Sequence, residues 1–291
     1  MQIDTVDWKL IGTCNLRCLH CYGPPKTERA LPLAQLLEII EKFKELRVKT
    51  VVLTGGEPLL VSGIDEVMKV LHESDIAIAL STNTSFFWKF RGEIAKFVFS
   101  LNIPLDGSTS EIHAKSRVDR KTFFSCLEVL RHYKQHPAEK PRLLRVGTVY
   151  SKATSGDFLP IAELLQPFTE VIDTWKIYEL IDYEFQPELR QSIVHESNAF
   201  QTEMVELLQT SNFGSKIMIT PASERDKAYF MVNPKGHVVM PTDINGVTHE
   251  LVVGDIRKDS LEELVSKWSL YINTKNYREN HEQHYGKGQA W

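Results

Sequence analysis

Short apolar runs alternate with amphipathic stretches along the first two thirds of the chain. Val6 to Ile11 predicts a buried strand. Behind Pro32, a helix-start residue, Leu33, Leu36, Leu37, Ile40, Phe43 and Leu46 recur at helical spacing. The β-branched run Val51-Val52-Leu53 predicts a second strand, and residues 64–71 a second helix. Further strands are predicted at 76–80, 97–101, 143–149 and 171–178, and helices at 121–133 and 158–165. Six strands alternating with helices imply an α/β fold with parallel pairing through βαβ crossovers. Ligands of such folds gather at the C-terminal strand ends.

The pattern changes near residue 182. A helix is predicted over 200–208. Residues 229–232 and 237–240 flank Asn233-Pro234-Lys235-Gly236 as a hairpin, and a strand at 251–253 and a helix at 261–268 follow. The expected organisation is therefore a barrel-like domain over 1–181 and a C-terminal α+β extension over 182–291 that covers its open side.

Composition adds little to this picture and removes several alternatives. With 291 residues, 42% apolar and 25% charged, the chain has ample material for one large core. A net charge of −4 without a long basic run argues against nucleic acid as a partner. No apolar stretch reaches the roughly 18 residues of a membrane span, so no membrane partner is expected. Met1 to Thr5 has neither a basic nor an apolar segment, so no signal peptide is visible. Four cysteines, three of them close together, fit a reducing cytoplasm and no disulfides.

Those three carry the most specific chemistry. Cys14, Cys18 and Cys21 form a C-x3-C-x2-C run followed by Tyr22. Three thiolates suit three irons of a cubane cluster and leave the fourth iron open for a ligand. Zinc would want four closed ligands; His20 is poorly placed to join the cysteines, and Cys126 lies far along the chain. Thr54-Gly55-Gly56-Glu57-Pro58 follows the second strand, 34 residues beyond Cys21 counted to Gly55. Its two glycines let backbone approach a ligand closely.

With both motifs at this spacing, the sequence resembles the radical S-adenosylmethionine (radical SAM) superfamily. The resemblance implies a partial (β/α)6 barrel over roughly residues 5 to 180. It also implies one 4Fe–4S cluster on Cys14, Cys18 and Cys21, with SAM chelating the open iron. One electron, from a flavodoxin- or ferredoxin-like donor, then yields methionine and a 5′-deoxyadenosyl radical that takes hydrogen from a substrate. Around SAM it places Tyr22, Thr54, Gly55, Gly56, Glu57 and Pro58, then Ser81 and Asn83 after the third strand. Arg117, in a loop entering a helix, would meet the SAM carboxylate, and Asp106 after the fourth strand would face the active site. Each of these polar residues also has a plain reading, Ser81, Asn83 and Asp106 as turn formers and Arg117 as a surface cation. The extension resembles those that hold auxiliary clusters, but no cysteine follows Cys126, and Met240-Pro241 stands where one is expected. A single cluster is therefore expected.

Arg145 and Lys176 interrupt the last two apolar strands of the barrel. Buried charges are costly unless paired or used. Two inward cations suit a small anionic substrate, and two outward ones would pair with glutamates. Val6-Asp7-Trp8, the step from Cys21 to Leu31-Pro32, Thr174 to Tyr178 and the terminal Trp291 resemble viperins. That likeness implies an antiviral enzyme converting a nucleoside triphosphate, usually CTP, to its 3′-deoxy-3′,4′-didehydro form. It places Thr54, Arg145 and Lys176 at the triphosphate, Tyr229 in the substrate pocket, and the tail Tyr285 to Trp291 as a phosphate loop. Thr50 and Gly147 depart from the viperin pattern, where lysine and asparagine stand. Cys21-Tyr22 is commoner in enzymes that tailor peptides or other natural products, which makes a peptide the alternative substrate. A non-catalytic iron–sulfur protein would not need the glycine motif.

Overall fold

The computed structural model describes residues 2–185, 187–195 and 198–285. Its first part runs β1 (Thr5–Ile11), α1 (Leu33–Glu45), β2 (Thr50–Gly55), α2 (Ile64–Glu73), β3 (Ala77–Ser81), α3 (Arg91–Phe97) and β4 (Val98–Pro104). It continues with α4 (Ser110–Arg117), α5 (Lys121–Gln135), β5 (Leu143–Tyr150), α6 (Phe158–Leu165) and β6 (Thr174–Glu179). Strands β1 to β6 pair in sequence order, and every pair is parallel. This is the expected partial-barrel arrangement.

Side chains alternate across these strands. Trp8, Val51, Leu53, Ile78, Leu101, Val146, Trp175 and Ile177 face outward and are buried under helices. Helix α1, for example, buries Leu36, Ile39, Ile40 and Phe43, and the Phe43 ring meets Trp8 edge-on at 5.2 Å. The opposite, inward row carries Asp7, Thr54, Ala79, Ser81, Ser100, Asn102, Arg145 and Gly147. The inside of the barrel thus carries polar and charged side chains among apolar ones such as Val52 and Val149, which a purely structural core would not.

Two short helices escape the apolar pattern. Helix α3 has seven residues, includes Gly92 and buries only Ile94. Helix α4 is polar and is started by the Thr109 hydroxyl, which accepts from the Ile112 amide at 3.3 Å. Arg117 is therefore in the last turn of a helix and not in a loop.

Beyond residue 181 the chain adds α7 (Pro187–Gln191), α8 (Ala199–Thr210), β7 (Ile217–Thr220), β8 (Met231–Val232), β9 (His237–Ile244), β10 (Val247–Asp255), α9 (Leu261–Tyr271) and α10 (Thr274–Tyr285). The hairpin at Asn233–Gly236 joins β8 to β9. Asn233 Oδ1 accepts from the Lys235 and His237 amides, and Gly236 takes a φ of 80°. Strand β7 pairs parallel with β6, and β8 pairs parallel with β1. Among the described residues the result is a ten-stranded sheet, β10-β9-β8-β1-β2-β3-β4-β5-β6-β7. The second part of the chain thus extends both edges of the barrel sheet. The Tyr277 hydroxyl accepts from the Asp4 and Thr5 amides at 2.9 and 3.3 Å, fixing the start of β1. No helix among the described residues is long and apolar enough to cross a membrane. Of the tail, residues 286–291 lie outside the described residues.

Candidate active site

The inward row encloses a cavity of ≈ 280 Å³ that runs from Thr5 and Asp7 on β1 to the C-terminal strand ends. Cys14, Cys18 and Cys21 line one part of its wall. The loop that carries them leaves β1 at Ile11 and is held by backbone. The Gly56 amide donates to the Ile11 carbonyl, the Glu57 amide to Thr13 at 3.1 Å, and the Leu19 amide to Ser116 at 2.7 Å. Two glycines have no substitute here. Gly55 takes a φ of 125°, and a Cβ on Gly56 would stand 2.1 Å from the Thr13 oxygen.

The thiols are ringed by donors. The Leu16 amide lies 3.4 Å and Asn83 Nδ2 3.6 Å from Cys14 Sγ, and Lys26 Nζ lies 3.3 Å from Cys21 Sγ. Arg117 Nη1 is 3.9 Å from Cys18 Sγ. Burial pushes the Cys14 thiol up and Cys18 to about 11, so iron must displace their protons to bind. Among the described residues no three His, Cys, Asp or Glu side chains make a single-ion cage. Three thiols spread along one wall suit separate irons of a cluster, the donor set for which the loop is built.

Beside the thiols, Thr54, Gly55, Gly56, Ser81, Asn83 and Arg117 line the cavity, as do Tyr22 and Tyr229. Tyr22 is 44% exposed. Glu57 and Pro58 are buried and do not line it. The Glu57 carboxylate accepts from the Leu59 amide, the Thr82 hydroxyl and the Asn83 amide at 3.1, 2.8 and 2.8 Å. It braces the turn after β3 against the turn after β2. Asp106 is also buried away from the cavity. Its carboxylate pairs with Arg117 Nε and accepts from the Val149 amide at 2.7 Å. Burial raises its pKa, but Arg117, His20, His113 and that amide outweigh burial and hold it below the ordinary value. Asp106 thus reaches the cavity through other residues, chiefly Arg117 and His20, whose Nε2 lies 3.9 Å from its carboxylate. Cys126 is buried on α5, its thiol donating to the Pro104 carbonyl at 2.6 Å.

At another part of the cavity the charges gather. Arg145 lines it; Lys176 lies on the same face of β6, 1% exposed, with its ammonium 4.8 Å from the Tyr178 ring centroid. Burial, then Arg145 and Arg225, hold Lys176 well below the ordinary lysine value, and Asp7 opposes them. Asp7 itself is pushed up to about 7 by burial, against Lys176 and Lys9. Arg225 and Tyr178 complete the lining. Sequence reasoning passed over Asp7 as chemistry, although a charge inside an apolar strand is the signal that found Arg145 and Lys176. Arg225 gave no signal, because Ser223 to Lys227 is polar throughout. Lys26 gave none either.

A sequence profile of the Radical SAM superfamily matches residues 8–151, which span β1 to the end of β5. GTP 3′,8-cyclase of Helicobacter pylori (strain HPAG1) is 31% identical over 177 residues, 56% of this chain and 51% of that protein. The putative protein YfkA of Bacillus subtilis is 27% identical over 166 residues, 53% of this chain and 43% of that one. The chain spans about half the length of the curated relatives it matches first. Streptococcus suis SuiB bound to S-adenosylmethionine superposes with a TM-score of 0.67 at 14% identity, over 96% of this chain and 67% of that one. anSMEcpe with bound AdoMet and a peptide gives 0.69 at 14% identity, over 95% and 84%. At such identities the structures share the fold. With the superfamily's profile lying on the strands that present the three thiols and the glycine turn, the chain belongs to the radical SAM superfamily of enzymes, whose cofactors are a 4Fe–4S cluster and SAM, and the cavity wall supplies thiols for the one and polar groups for the other.

Proposed function

We propose that the chain abstracts hydrogen from a small anionic substrate, and that this substrate is a nucleotide. The observation that carries the reading is the gathering of Arg145, Arg225 and Asp7, which line the cavity, around the buried Lys176 behind them. When bound, the cluster supplies the electron that splits SAM into methionine and a 5′-deoxyadenosyl radical. The chain's own residues hold and orient. Cys14, Cys18 and Cys21 would hold three irons, and Gly55, Gly56, Ser81, Asn83 and Arg117 would cradle SAM. Arg145, Lys176 and Arg225 would take the anionic end of the substrate, with hydroxyls offered by Thr54, Tyr178 and Tyr229. Residues 1–181 and 182–291 share this labour, since Arg225 and Tyr229 come from the second part.

A nucleotide is favoured by the viperin-like positions Thr54, Arg145, Lys176 and Tyr229 and by relatives named as GTP cyclases. On that reading the radical takes the 4′-hydrogen, and loss of the 3′-hydroxyl follows. The second reading, a peptide, is favoured by Cys21-Tyr22 and by the open mouth beside Tyr22. The electron would come from a flavodoxin- or ferredoxin-like donor in a reducing cytoplasm. The test is 5′-deoxyadenosine release by reconstituted enzyme with SAM and dithionite, with each nucleoside triphosphate in turn. At least one nucleotide should stimulate release about tenfold, a gain of about 1.4 kcal/mol in barrier terms. If none does, the peptide reading replaces this one.

Asp7 makes the reading pH-dependent. With its carboxyl near 7, it is mostly neutral in mild acid and repels an anion above that pH. Nucleotide affinity should therefore weaken as pH rises through 7. Asp7→Asn should lose much of that dependence and bind more tightly at pH 8. An unchanged profile by equilibrium binding would separate Asp7 from the anion site.

A further inference from the structure

Two buried cations tie the part of the chain beyond residue 181 to the end of the cysteine loop. The Lys9 ammonium is within hydrogen-bond distance of three oxygens, one for each of its hydrogens: Glu250 Oε1 at 2.6 Å, the Tyr183 hydroxyl at 3.1 Å and the Tyr22 carbonyl at 3.3 Å. It also lies 5.5 and 5.1 Å from the Tyr22 and Tyr183 ring centroids. The Tyr183 hydroxyl donates to the same Glu250 oxygen at 2.7 Å. The Lys9 and Glu250 side chains are 1% and 8% exposed. Glu250 is on β10, separated from β1 by β9 and β8, so the pair reaches across two intervening strands.

Arg190, on α7, makes the second tie. Its Nη1 donates to the Cys21 carbonyl at 3.2 Å, its Nε to Asp182 Oδ1 at 3.2 Å, and its Nη2 to the Phe185 carbonyl. Arg190 is 1% exposed. Each cation thus holds one of two consecutive carbonyls, Lys9 that of Tyr22 and Arg190 that of the third cysteine, and its remaining hydrogen bonds fix the cation itself. Such a number of satisfied bonds fixes a loop, and burial makes the charges count.

We propose that Lys9, Glu250, Tyr183 and Arg190 are positioning residues that fix the third cysteine and set the reduction potential of the cluster. The idea rests on the cluster and on no particular substrate. Adding one electron makes the cluster more negative. Lys9 and Arg190 favour that form, and Glu250 opposes it. Hydrogen bonds and nearby charge are known levers on such potentials. An extension without a cysteine thus acts on the cluster through hydrogen bonds to its loop and through charge. Other charged groups near the loop include Lys26 beside Cys21, the Arg117–Asp106 pair beside Cys18, Glu57 near Cys14 and Asp182, the partner of Arg190, and the test leaves them unchanged.

The experiment is a redox titration of reconstituted holoenzyme, followed by the electron paramagnetic resonance of the reduced cluster, with iron content measured for each sample. Glu250→Gln should raise the potential, by about tenfold in the equilibrium constant for one-electron reduction, or about 59 mV. Arg190→Met should lower it by a similar factor. The double variant Lys9→Met/Glu250→Gln, which removes both members of the pair, should return toward wild type. Shifts of opposite sign support the proposal, because simple loosening of the loop would move both variants the same way. The proposal falls if iron-loaded variants show no shift or shifts of one sign. It also falls if the double variant stays as displaced as Glu250→Gln, or if neither single variant takes up iron, which would make these residues essential for assembly instead.

Discussion

Replacing Cys14, Cys18 or Cys21 with alanine should remove the visible thiolate-to-iron absorption of the reconstituted protein and reduce 5′-deoxyadenosine release to background. Two thiolates cannot hold three irons of a cubane, and the wall of the cavity offers no spare cysteine, since Cys126 is engaged with Pro104 behind it. Wild type should take up about four irons per chain, the content of one cubane. A content near twice that number would reveal a second cluster, against the cysteine-free extension. The fold should survive each change. The thiols sit on a loop and are only half-buried, while the loop is anchored by backbone bonds at Gly56, Glu57 and Leu19. Circular dichroism near that of wild type with absorption lost in all three variants is the expected pair of results. Retained absorption in all three would remove the basis of the assignment.

The second large effect concerns the buried cations. Arg145→Ala and Lys176→Ala should each weaken nucleotide binding by about ten- to a hundredfold, the equivalent of a charge-assisted contact of roughly 1.5–3 kcal/mol. Slow cleavage of SAM without substrate should continue, because neither residue is among those that cradle SAM. Stimulation by nucleotide should therefore disappear while the basal rate stays. Lys176→Met is the necessary companion, since it keeps the length of the side chain among Tyr178, Arg145 and Arg225 and separates lost charge from lost packing. If the nucleotide stimulates all three variants as well as it does wild type, the anion is bound elsewhere.

Sequence patterning revealed the barrel because its strands are buried on the outer face and β-branched, and because each is followed by a helix with a clear apolar stripe. Helix α6 begins and ends at the residues expected from Phe158 to Leu165. The pattern failed where local composition carries little information. Helices α3 and α10 are short or polar, and β7 has four residues whose partner, β6, lies some forty positions earlier. That β7 and β8 would join opposite edges of one sheet is a tertiary choice that no local period encodes. At the site, the cysteine loop and the glycine turn were legible because their chemistry requires fixed spacings. Arg225 and Lys26 were not, because a cation in a polar stretch reads as a solvated one. Asp106 was legible as a polar residue after β4, but only the structure shows that its carboxylate is turned to Arg117 instead of the cavity.

Pairing between the two ends of the chain also orders events during synthesis. Strand β1 emerges first, yet the Tyr277 hydroxyl that caps its start lies 273 residues later, and the Glu250 carboxylate that secures Lys9 lies 241 residues later. Contacts this distant form late and slowly compared with local ones. Until β10 has been added, the cysteine loop has its backbone anchors to β2 and α4 but lacks the Lys9–Glu250 tie. A cluster delivered to the nascent chain would meet a loop whose last tie is still unmade. Iron delivery is therefore best timed after β10 has paired, because a cluster bound earlier would sit on the three thiols before the charges that set its potential are in place.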